Sequence, residues 1–176
     1  TPTVTDGGAL RGDWDGYARL VDDLGVRVYA SPPFRDRNTF CDAGGRLYYD
    51  TDTAAGTDGL KLAADFVRAH DGAASGRLRG MLNPSQVETC SEPLLRECKA
   101  VARALGVPVH THAGGNLIEF QRIMDEYRKT PVRFLADIGF RDDQTLSGHG
   151  VFTTARAWSH YPFGDDLAVL RESGAT

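Results

Sequence analysis

The sequence has 176 residues, 41% apolar and 25% charged, enough for one compact domain with a sizeable core but short for two. A net charge of −4, with the 20 Lys and Arg scattered and no aromatics interleaved among them, argues against nucleic acid as the main partner. No stretch approaches the roughly 20 apolar residues of a membrane span.

Thr3-Val4-Thr5 is a short β-branched run that closes on Asp6-Gly7-Gly8. From Asp13 to Leu24, Trp14, Tyr17, Leu20, Val21 and Leu24 recur at helical spacing, and Gly25 sits where a C-terminal cap belongs. Val26 to Ala30 reads as a strand, broken by Ser31-Pro32-Pro33. A polar loop is expected from Arg35 to about Ala54, then a helix marked by Leu60, Ala63, Ala64 and Val67. Leu78 to Leu82 is a strand ending at Asn83-Pro84. Glu92 to Leu105 is a helix with Ser91 as N-cap and Gly106 as its stop. Val107 to His112 is the next strand, followed by helices from Leu117 to Tyr127 and from Val132 to Ile138. Thr145 to Val151 forms a strand, and Asp165 to Glu172 a helix capped by its own acidic start. Trp158 to Pro162 reads as an aromatic loop packed locally, with a lid as the alternative.

Strands that alternate with helices make a parallel α/β sheet covered by helices. No G-x-G-x-x-G or Walker sequence follows a strand, which favours a closed barrel over an open nucleotide-binding sheet. The expected fold is therefore an incomplete (β/α)8 TIM barrel, about strands two to six, with residues 1–176 part of a single barrel domain. A complete barrel takes about 250 residues. The chain starts and stops at strand boundaries, so an interior piece of a longer protein is expected.

Cys41, Cys90 and Cys98 are odd in number and form no C-x-x-C pair, so all three read as buried free thiols. With no signal-peptide pattern in residues 1–8, the expected location is cytoplasmic.

His110 and His112, at i and i+2 of one strand, point to the same side. His149 closes the following strand. Histidines ending two adjacent parallel strands, flanked by Ala113, Gly114, Gly115, Gly148 and Gly150, either hydrogen-bond within the core or converge on one ion or substrate. Arg35 and Gln86 also follow strand ends and could line the mouth as substrate-binding residues.

Val109-His110-Thr111-His112-Ala113, then Lys129-Thr130-Pro131-Val132, then Leu146-Ser147-Gly148-His149, resembles the fifth-to-sixth strand region of the amidohydrolase superfamily, in its cytosine deaminase, guanine deaminase and triazine hydrolase branch. The resemblance implies a metal-dependent hydrolase that attacks a C–N or related bond of a small N-heterocycle with a metal-bound hydroxide. It implies one divalent ion, zinc first and iron second, with His112 as ligand, His110 as its supporting residue and His149 as the catalytic group. The partner would be a small-molecule substrate, and a homo-oligomer is compatible. The branch's proton-shuttling glutamate falls on Gly115, and Glu119 reads as a surface or packing residue facing elsewhere. That departure supports an alternative, a non-catalytic binding or scaffold protein on the same barrel.

Overall fold

The computed structural model describes residues 3–6, 12–154 and 163–176. Its helices begin and end where the sequence supplies caps. Asp13 accepts the Gly16 N–H to open α1 (Trp14–Leu24), and Gly25 closes it at φ 64°, a left-handed conformation that costs glycine little. Ser91 opens α4 (Glu92–Leu105) the same way, with a proline in the first turn and Gly106 closing it at φ 68°. Asp52 caps α2 (Thr53–His70), and Asn116 caps α5 (Leu117–Tyr127). Thr130 caps α6 (Pro131–Asp137), and Asp165 caps α7 (Asp166–Ser173). A short turn, α3 (Ala73–Gly76), precedes the third of the long-range strands.

Between the helices, β1 (Thr3–Asp6), β2 (Arg27–Ala30) and β6 (Leu78–Gly80) pair in parallel, with Val4 beside Val28 and Val28 beside Leu78. Two short extensions, β3 (Pro33–Phe34) and β7 (Asn83–Pro84), also pair in parallel. A bridge from Leu82 to Val109 and another from Gln86 to His112 carry the row on to β8 (Val109–Ala113), which pairs in parallel with β9 (Thr145–His149). Lateral order thus follows chain order, as right-handed βαβ crossovers require. No barrel closes among the described residues, so what is observed is an α/β row and not a complete barrel.

The core lies between this row and the helices. Val28, Ala30, Leu78, Leu82 and Val109 from the strands meet Leu60, Phe66, Leu95, Cys98 and Phe134 from the helices. Each such leucine contributes about 1.5–3 kcal/mol by leaving water. Lys99 is buried in the same layer, and its Nζ reaches Asp142 at 2.5 Å and the Thr145 hydroxyl at 3.0 Å.

Three expectations need correction. The segment 35–54 is not a plain loop: β4 (Arg37–Cys41) and β5 (Leu47–Thr51) form an antiparallel hairpin. Its few apolar residues stay largely exposed, so no burial pattern announces it; Arg37 fastens it to Glu126 of α5 at 3.0 Å, and the Arg122 guanidinium lies over the Tyr49 ring. Cys41 lies on that hairpin and is exposed, whereas Cys90 and Cys98 are buried. The last strand ends at His149 and not at Val151. The Trp158–Pro162 segment lies outside the described residues. No helix among the described residues is long and apolar enough to cross a membrane.

Candidate functional site

Burial alternates along β8: Val109, Thr111 and Ala113 are buried, while His110 and His112 are half-buried on the opposite face. The period-2 pleat puts both rings on one side, 5.1 Å apart. Parallel register then sets Gly148 beside His112 and His149 beside Ala113. A Cβ on Gly148 would stand 3.2 Å from the His112 Nδ1, so glycine there clears space for the ring.

His149 ends β9 at φ 75°, a left-handed conformation unusual for a residue with a side chain. Such backbone strain concentrates at sites that use it. Its Nε2 stands 2.8 Å from the His112 Nδ1. Burial, then the neighbouring His149, lowers the His112 pKa. Burial, then the two neighbouring imidazoles, brings His110 down to about 4. Both shifts favour the neutral ring. The Nδ1 of His110 lies 3.2 Å from the Oδ1 of buried Asn83, a bond that fixes the ring if Nδ1 carries the proton.

The turn after β8 is held from two directions. On one side, Gly150 donates its N–H to the Ala113 carbonyl, and Val151 and Phe152 both donate to the Gly114 carbonyl. On the other, the Glu119 carboxylate accepts the Gly114 N–H and, at 2.9 Å, the Gly115 N–H. Glu119 is 0% exposed, so of the two expected readings, surface or packing, it is the buried one, and it turns back to this turn instead of facing elsewhere. Burial raises its pKa to about 7, against the pull of its backbone hydrogen bonds and with a contribution from Glu88. Asn116-x-x-Glu119 is the spacing of a helix-capping box, the one sequence signal that would have turned this carboxylate back towards the chain entering α5. Glu88, buried after Gln86, has its own pKa raised by burial. No sequence motif marks either Glu88 or Asn83.

Gln86 joins this neighbourhood through its bridge to His112. Arg35 lies on the loop between β3 and β4. It is exposed and lines a pocket of about 260 Å³ with Phe34, Ala55, Gly59 and Ser85, whose carbonyl accepts the His112 N–H.

Among the described residues, no three His, Cys, Asp or Glu side chains are placed to close around one metal ion. The donor set nevertheless fits part of a metal site. A ligating histidine is commonly oriented by a hydrogen bond from its other ring nitrogen and binds as the neutral ring. His112 meets both conditions: Nδ1 is engaged by His149, and Nε2 is left as the nitrogen able to ligate.

Known proteins give this geometry a context. A 5-methylthioadenosine/S-adenosylhomocysteine deaminase of Halobacterium salinarum is 34% identical over 128 residues, covering 72% of this chain and 27% of the relative. A 5'-deoxyadenosine deaminase of Methanosarcina mazei is 35% identical over 119 residues, covering 68% and 26%. This chain thus spans about a quarter of the length of the curated relatives it matches. Among solved structures, guanine deaminase from C. acetobutylicum with bound guanine superposes with a TM-score of 0.74 at 15% identity, covering 98% of this chain and 38% of that one. A mutant atrazine chlorohydrolase from Arthrobacter aurescens, complexed with zinc and atraton, gives 0.73 at 20% identity, covering 99% and 37%. The family model for the Amidohydrolase family matches residues 4–175. With nearly every residue inside that match, the chain belongs to the Amidohydrolase family.

Proposed function

We propose that this chain is the second-to-sixth-strand portion of a (β/α)8 barrel, and that the full-length protein is a metal-dependent hydrolase that deaminates a small nitrogen heterocycle. The observation that carries the proposal is the contact between His112 and His149 at the ends of adjacent parallel strands, in a chain whose relatives are named as deaminases. The C-terminal ends of barrel strands are where such folds keep their catalytic groups.

In this reading His112 is the metal ligand through Nε2, with zinc as the ion and iron as the second choice for an imidazole donor. A divalent ion, when bound, lowers the pKa of a coordinated water towards ~7 and so supplies a nucleophile at neutral pH. The chain's own residues do the rest. His112 donates Nδ1–H to the His149 Nε2, which leaves the Nδ1 of His149 to carry a proton to the group under attack. His110, tied to Asn83, supports the face on which both rings stand. Gln86, whose backbone bridges to His112 and whose side chain accepts the Thr89 N–H, would border the small-molecule substrate from the next strand end. Arg35 would contact the substrate from the pocket it shares with Ser85. The deaminase relatives lend the non-catalytic alternative no support.

The test is ammonia release by the full-length, zinc-loaded protein from 5'-deoxyadenosine, 5'-methylthioadenosine and guanine. Turnover of at least one, lost on chelation and regained with zinc, is expected. No turnover by a metal-loaded, folded protein, on these or on other amino-substituted purines, pyrimidines and triazines, would contradict the proposal.

A further inference from the structure

Gly115 and Glu119 fit together around His149. A Cβ built on Gly115 would lie 2.8 Å from the His149 Cδ2 and 3.4 Å from the Glu119 Oε2. The imidazole and the carboxylate therefore both border the space that any side chain at residue 115 would occupy. Gly115 is not in a left-handed conformation, so its backbone suits any residue, and the reason for glycine is this space. Gly114, by contrast, sits at φ 67° with the Phe152 carbonyl 2.9 Å from its own Cβ position, which leaves the turn no freedom to move aside.

The hydrogen bonds run in series through this turn. Glu119 holds the N–H groups of Gly114 and Gly115. The Ala113 and Gly114 carbonyls of the same turn hold the N–H groups of Gly150, Val151 and Phe152, the residues that follow His149. The chain directly after His149 is thus held by a turn that Glu119 anchors, and the His149 ring rests where residue 115 has no side chain.

We infer that Glu119 is a positioning residue for His149, acting through the Gly114–Gly115 turn, and that Gly115 is the vacancy this arrangement needs. With both oxygens engaged by backbone and no exposure, Glu119 does not touch substrate. Its work is to keep the His149 Nε2 on the His112 Nδ1, in a conformation its backbone would otherwise leave. The energetic logic is general. A carboxyl oxygen can accept a backbone N–H whether or not the group is ionised, and removing it leaves a buried donor without its partner. A misplacement of about 1 Å in a catalytic group can cost about 10²-fold in rate. The inference rests on the proposal that His149 acts on the substrate only for its kinetic readout; its spectroscopic readout is independent of that proposal.

The experiment uses the full-length, zinc-loaded protein and three variants, Glu119→Ala, Glu119→Gln and Gly115→Ala. The imidazole ¹⁵N and N–H signals of His112 and His149 report their hydrogen bond, and kcat, KM and zinc content are measured beside them. Glu119→Ala is expected to lose the shared imidazole signal and about 10²-fold in kcat, with KM and zinc content near wild type. Glu119→Gln keeps one acceptor oxygen and is expected to recover part of both. Gly115→Ala retains Glu119 and a permitted backbone, so it should stay folded and still lose the signal, because its Cβ displaces the ring. Should Glu119→Ala not fold, Gly115→Ala and Glu119→Gln decide the matter. Wild-type imidazole signals in the folded Glu119 variants and Gly115→Ala would overturn the inference. If the wild-type protein turns over no substrate, the function proposed above fails, while the imidazole signals still judge this one.

Discussion

His112 Nδ1 and His149 Nε2 stand 2.8 Å apart, so one ring donates and the other accepts. With His112 as donor, its Nε2 is free to ligate, and His149 is left to act on the substrate without being a ligand. His149→Asn should then keep the zinc of the full-length protein and lose about 10²–10⁴-fold in kcat, the usual contribution of a positioned acid, base or polarising group. Loss of zinc in that variant, or wild-type turnover, would remove His149 from the assigned role.

Gly115→Glu sharpens the same point. The resemblance to deaminases places a proton-shuttling glutamate there, and restoring it is the obvious repair. The 2.8 Å between the residue 115 Cβ position and the His149 ring makes the repair costly, because the ring must leave His112. Gly115→Glu is expected to lower turnover, which a steady-state comparison with wild type checks. A higher kcat would show that the site has room for the shuttle.

Stability should depend on pH through Glu119. Burial raises its folded pKa from the usual 4.5 to about 7, so its contribution is fully present below pH 4.5 and fades as pH rises through 7. The span is on the order of 3 kcal/mol. Glu119→Gln cannot ionise, so its melting temperature should change less between pH 5 and 8 than that of wild type. Parallel curves would show that the carboxyl ionises without cost in the fold.

Lys99 and Asp142 give the opposite slope. Burial raises the Asp142 pKa, but the Lys99 hydrogen bond, the Gln144 N–H and Arg103 outweigh it and hold the carboxyl below its usual range. A depressed folded pKa contributes stability above the unfolded value, near 4, and loses it as pH falls through the folded one. Asp142→Asn strands a nearly buried ammonium, which should cost about 3 kcal/mol at neutral pH. The same variant should lose less stability than wild type when acidified, a difference that denaturant titrations at pH 7 and pH 3 would measure.

Much of the row was legible because apolar periodicity and capping residues agree locally. Ser91, Gly25 and Gly106 mark helix ends from sequence alone, and the structure puts a cap at each. The β4–β5 hairpin was not legible, since Phe40, Leu47 and Tyr48 remain 42–49% exposed and no burial alternation betrays it. At the site, the pairing of His110 and His112 on one face follows from the strand's period of two. The approach of His149 does not, because it depends on a left-handed φ at a residue that sequence rules would not place there. The direction of Glu119 is not legible for a related reason: a charged residue in a first helical turn reads as surface or packing alike until two backbone N–H groups are found on it.

The central claim is that His112 is the metal ligand this chain supplies. The most direct measurement is the zinc stoichiometry of the full-length protein for wild type, His112→Ala and His110→Ala, with folding checked in each. The account predicts bound stoichiometric zinc in wild type, none in His112→Ala, and a modest weakening in His110→Ala, whose ring supports the site without ligating. Equal zinc in wild type and folded His112→Ala would contradict it.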